Sequence, residues 1–141
     1  MATGLDAYRI ADVDIASLGE GVTQAYLQNH VLVGALAAQH GFDYAFFWQP
    51  TIAHGDKPLT EEEEALKAAL GEGTLVALFA EVYEHVRQAA NESRDLYNIA
   101  DVFDAQDGLI YVDPLSHVTP EGNALIAQRM LDLIGEQLGW E

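Results

Sequence analysis

The sequence predicts an α/β fold built on an open sheet, and three observations lead there. Residues 42–48, Phe-Asp-Tyr-Ala-Phe-Phe-Trp, form an aromatic run too short for a helix and apolar enough for a strand buried on both faces. A helical apolar pattern precedes the run and closes at Gly41. Two further helical stripes follow it. Helix, glycine and buried strand in succession is the rhythm of an open α/β sheet. At 141 residues, half of them apolar, the chain is long enough for one domain with a sizeable core.

In chain order, residues 8–16 alternate imperfectly and read as a short strand or an extended entry segment, so residues 1–21 are the least defined part of the domain. After Gly19 and Gly21, Val22, Tyr26, Asn29, Val33, Leu36 and Ala37 fall on one helical face, with Gly41 as the residue that ends the helix. Gln49-Pro50 stops the aromatic strand, and residues 51–59 form a loop. Thr60 and Glu63 make a capping box, which starts a helix at Glu61 that runs to about Leu70. Gly71 and Gly73 break it, and Thr74 is placed to cap the next. That helix carries Leu75, Phe79, Val82, Tyr83, Val86 and Ala90 as its apolar stripe. Leu96 to Val102 supplies a second strand, and residues 109–112 a short apolar approach to a loop. Thr119 and Pro120 match an N-cap and first helical residue, and Ile126, Met130, Leu133, Ile134 and Leu138 carry the final helix. A parallel sheet of so few strands cannot bury both faces and both edges unaided, which points to a small atypical sheet or to completion by a second chain.

Charge narrows the function. Six basic residues against 23 acidic ones give a net charge of −17, a field that repels nucleic acid and anionic membrane surfaces. No apolar stretch approaches the roughly 18 residues of a membrane span, and the first residues show no secretory leader. The run Glu61 to Glu64 reads as a solvated first helical turn. There is no cysteine, hence no thiolate nucleophile and no Cys-based zinc site. The five histidines (30, 40, 54, 85 and 117) include no pair at i,i+4 spacing, so neither a metal nor another cofactor is expected.

Residues 111–123, Tyr-Val-Asp-Pro-Leu-Ser-His-Val-Thr-Pro-Glu-Gly-Asn, are the most informative stretch. They place Asp113 and His117 in a Pro-punctuated loop between an apolar run and an amphipathic helix, where an α/β enzyme carries an orienting acid and a general base. The alternative is a surface turn followed by a capped helix.

Together with Gln49-Pro50 after an aromatic strand, Lys57-Pro58-Leu59-Thr60 with its Glu run, and Asp101-Val102-Phe103-Asp104, this block resembles the later half of SGNH/GDSL-type esterases and lipases, over about residues 22–138. The resemblance implies a flavodoxin-like three-layer α/β/α sandwich, truncated or minimised to few parallel strands. It also implies hydrolysis of short acyl or acetyl esters of small molecules by serine, histidine and aspartate, with His117 as base and Asp113 as orienting acid. The family's Gly-Asp-Ser and Gly-x-Asn-Asp blocks are not intact. Either Gly4-Leu5-Asp6 is the remnant near the second block and the chain starts after the catalytic half, or Ser17-Leu18-Gly19-Glu20-Gly21 is a drifted nucleophile block with Ser17 as the nucleophile. Three residues separate Asp113 from His117 where two are usual, so either the loop bulges at Pro114-Leu115 or Asp113 points away. The alternative function is a non-catalytic remnant acting as an oligomeric binding or assembly module. On either reading the chain is expected to form a homo-oligomer or to be completed by a second chain.

Overall fold

The computed structural model describes residues 14–138. Its elements follow in the order α1 (Ile15–His40), β1 (Phe46–Trp48), α2 (Glu61–Leu70), α3 (Thr74–Glu92), β2 (Leu96–Asn98) and α4 (Pro120–Leu138). The two strands pair in parallel. This corrects the expected fold class: among the described residues the chain is mostly helical, with two three-residue strands, and not a flavodoxin-like three-layer sandwich. A sheet of that size offers too little surface for a helix layer on each face. The aromatic run is strand only from Phe46, and its three residues are half-buried rather than covered on both sides. The second strand stops at Asn98, whose side-chain oxygen accepts from the Ala100 N–H at 3.0 Å. Tight turns follow, from Val102 N–H to the Ile99 carbonyl, Asp104 to Asp101 and Gln106 to Phe103.

Two compact units are present. Among the described residues, one is 14–46 with Leu70–Leu96, the other Phe47–Ala69 with 97–138. In the first, α1 packs along α3. The helix starts earlier than the glycines suggest: Asp14 caps it by accepting from the Ala16 N–H at 3.2 Å, so Gly19 and Gly21 lie inside. Gly19 is buried where a β-carbon would lie 2.7 Å from Glu81 Cγ, so its missing side chain sets the closeness of the two helices. Gly41 ends α1 in the left-handed conformation, φ 70°, with its N–H on the Ala37 carbonyl at 2.8 Å, as expected. Of the predicted α1 stripe Ala37 is buried and Tyr26 and Val33 half-buried, while Val22, Asn29 and Leu36 are exposed. Val82, Tyr83 and Val86 of α3 are buried as their spacing requires, and burial pushes the Tyr83 hydroxyl pKa up. The N-cap of α3 is Gly73, with Thr74 the first helical residue. The early strand expected at residues 8–16 lies, through residue 13, outside the described residues; Asp14 is a cap and Ile15 is helical.

The second unit buries Pro50, Thr51, Ile52, Ile99, Phe103, Ile110 and Tyr111. The Phe103 ring meets Tyr111 edge-on with centroids 5.6 Å apart. Helix α4 begins at Pro120, and the Thr119 hydroxyl accepts from the Gly122 N–H at 3.1 Å. Gly122 is buried, and a β-carbon there would lie 2.9 Å from both Ile110 Cγ2 and Val118 Cβ.

Two glycines inside helices therefore carry opposite predictions. Gly21 in α1 has nothing within 4 Å of a β-carbon, so Gly21→Ala is expected to stabilise by about 0.5–1 kcal/mol. Gly122→Ala gains the same propensity but overpacks β-branched neighbours, which costs roughly 1–3 kcal/mol, so it is expected to destabilise. Urea unfolding of the two variants beside wild type checks both signs.

Candidate active site

Asp113 and His117 are brought together. Between Ile110 and α4 the chain doubles back through an antiparallel bridge of Tyr111 with Val118. The Val112 N–H donates to the His117 carbonyl at 3.0 Å and the Thr119 N–H to the Ile110 carbonyl at 2.7 Å. Within this turn Asp113 Oδ1 accepts from the backbone N–H groups of Leu115 at 2.8 Å and His117 at 3.2 Å. Oδ2 is hydrogen-bonded to His117 Nδ1. The turn through Pro114 and Leu115 thus leaves Asp113 pointing at His117 rather than away.

The electrostatics follow from these contacts. Partial burial would raise the Asp113 pKa, but the bonds from the His117 ring and the two N–H groups hold it below the ordinary carboxylate range. An ionised carboxylate only accepts, so the shared proton is the imidazole Nδ1–H and Nε2 is the basic nitrogen. The His117 side chain is 78% exposed and Asp113 28%. The pair is therefore oriented on one side and open to a solute on the other.

The loop is held from beneath by a group that the charge pattern misassigned. Glu61, Glu62 and Glu64 are solvated, but the Glu63 side chain is fully buried, which corrects the reading of that run. Its Oε1 accepts from the N–H groups of Ile110 and Tyr111, both at 2.9 Å. Its Oε2 accepts from Lys57 Nζ at 2.6 Å and from the Thr60 N–H at 3.0 Å. The capping box is real, since the Glu63 N–H reaches the Thr60 hydroxyl at 3.3 Å. Burial opposes ionisation of Glu63, yet Lys57 and the three N–H donors outweigh it and lower its pKa to about 2. On the loop's other side, the Leu115 carbonyl accepts from the Ile52 N–H at 3.0 Å and the Thr51 hydroxyl at 2.7 Å. The sequence signal for Glu63 was present in the capping box and in a lysine six residues earlier. The signal for Thr51 was absent.

Ser17 lies in the first unit, in the first turn of α1, whereas Asp113 and His117 belong to the second. Its hydroxyl donates to Asp14 Oδ2 at 2.6 Å, the main cause of a lowered Asp14 pKa. Gly4-Leu5-Asp6 lies outside the described residues. Among the described residues no three His, Asp or Glu side chains converge to hold a metal ion. Comparison with protein-family models, curated proteins and solved structures finds no match to the chain.

Removing the Glu63 charge should be severe. Glu63→Gln leaves Lys57 buried without a counter-charge and is expected to cost about 3–5 kcal/mol. Because the folded pKa is depressed from 4.5 to about 2, the stability that Glu63 contributes is complete above its unfolded value and is lost as pH falls toward 2. Urea midpoints measured across that acid window should drop steeply in wild type and less in the variant.

Proposed function

We propose that the chain hydrolyses small carboxylic esters, short acyl or acetyl, with His117 as general base and Asp113 as its orienting acid. The observation that supports this reading most is the Asp113 carboxylate bonded to His117 Nδ1 while the ring stays open to solvent. In the proposed step Nε2 takes the proton from an attacking hydroxyl as its oxygen bonds to the ester carbonyl carbon. The same proton then passes to the departing alkoxide as the carbon–oxygen bond breaks. Asp113 steadies the imidazolium formed in between. The attacking hydroxyl is that of water. The likeness of residues 111–123 to the final block of SGNH/GDSL-type esterases supports the choice of ester over other acyl groups. What is proposed is the chemistry of the pair, not that family's sandwich fold.

Turnover of p-nitrophenyl acetate tests this. His117→Ala is expected to bring the rate down to that of buffer, and Asp113→Asn to lower it by about 10²–10⁴-fold. Ser17→Ala is expected to keep full activity, and loss of turnover there overturns water as the attacking group. A wild-type rate no higher than buffer, or one untouched by His117→Ala, overturns the reading.

A further inference from the structure

Helix α1 is apolar on two sides. Its inward side carries Thr23 and Ala37, both buried, with Tyr26 and His30 edge-on to the Phe46 ring at centroid distances of 5.7 and 5.2 Å. Its outward side carries Leu27, Val31, Leu32 and Leu36, of which Val31 is 68% exposed, Leu32 62% and Leu36 50%. Gln24 and Gln28 lie on the same side between these residues, and together with Leu27, Val31 and Leu32 they line a shallow, mainly apolar groove of about 520 Å³. A helix face that exposes several large aliphatic side chains together marks a contact site.

Charge identifies what covers it. Across residues 21–42 there is no Asp, Glu, Lys or Arg, in a chain whose net charge is −17. A partner recruited by charge would need carboxylates on this face, and it has none. A helix lying on a lipid surface keeps basic residues beside its apolar face; here there are none, and the net charge repels anionic lipid. A second copy of an acidic chain can approach only where it meets no like charge, and the outward face of α1 satisfies that requirement. We infer that this face pairs with the same face of a second copy, giving a two-fold dimer through α1. The contact is the same patch on both chains, as two-fold symmetry requires. It also places the association expected from the sequence on a helix face rather than at a sheet edge. The hydrolase reading plays no part in this inference.

The interface is one helix wide. At 1.5 Å per residue α1 is about 39 Å long and about 10 Å across, small beside the roughly 800 Å² per partner of a standard interface. The dimer should therefore dissociate on dilution. It should also tighten with salt, because screening weakens the repulsion between two acidic chains without weakening an apolar contact.

Sedimentation of the full chain over a concentration series, at about 0.05 M and about 0.5 M NaCl, is the test. A reversible dimer that grows with concentration and with salt is expected. The double variant Val31→Glu with Leu32→Glu should sediment as a monomer at every concentration. Both side chains are mostly exposed, so its helical circular dichroism should match wild type. A wild type that stays monomeric overturns the proposal, and so does a dimer that survives in the double variant. A dimer that falls apart as salt rises also overturns it, since that contact would rest on charge.

Discussion

One buried carboxylate organises the second unit. Glu63 takes four hydrogen bonds, two on each oxygen, from a lysine and three backbone N–H groups. Two of those donors, Ile110 and Tyr111, lie three and two residues before Asp113. The carboxylate therefore couples the start of α2 to the root of the loop that carries the Asp–His pair. Burying a charge costs several kcal/mol unless its partners replace water completely, and here both oxygens are fully served. Such a site is geometrically exacting, because no neutral side chain offers two acceptor oxygens to donors on opposite sides.

Three helix boundaries were legible in the sequence because they depend on nearest neighbours, while the starts of α1 and α3 were misplaced. The Thr60–Glu63 box, the Thr119-Pro120 start and the left-handed Gly41 stop each rest on bonds within about four residues, and all are present. The sheet was not legible for the opposite reason. Residues 42–48 have strand composition, but strand propensity measures the packing a segment finds. Only a three-residue partner pairs with it, and the Phe46 ring finds Tyr26 and His30 of α1 instead.

The site divides along the same line. The pairing of Asp113 with His117 could be anticipated because the two are close in sequence, whereas the Asx-type turn that aims one at the other is not revealed by spacing alone. The burial of Glu63 was only faintly legible, in the capping box and in Lys57 six residues earlier. Nothing distinguishes the third glutamate of a run from its neighbours except the capping geometry, and the chain that covers it arrives from 47 residues away. A capping carboxylate normally faces water; here the same atoms that cap α2 also serve as the floor of a distant loop.

That double use explains how a chain with so little sheet holds a loop in one conformation. In an open α/β fold, loops are positioned by the ends of several paired strands. Here the bridge between Tyr111 and Val118 is isolated, and on its own a lone bridge holds little. Glu63 supplies bonds to Ile110 and Tyr111 on one side, and Thr51 and Ile52 clasp the Leu115 carbonyl on the other. Gly122 then lets α4 close against Ile110 and Val118. Asp113 and His117 are thus anchored by side chains and a glycine contact where a larger fold would use strands. The orientation of the imidazole follows from that anchoring, and so does its dependence on a single buried charge.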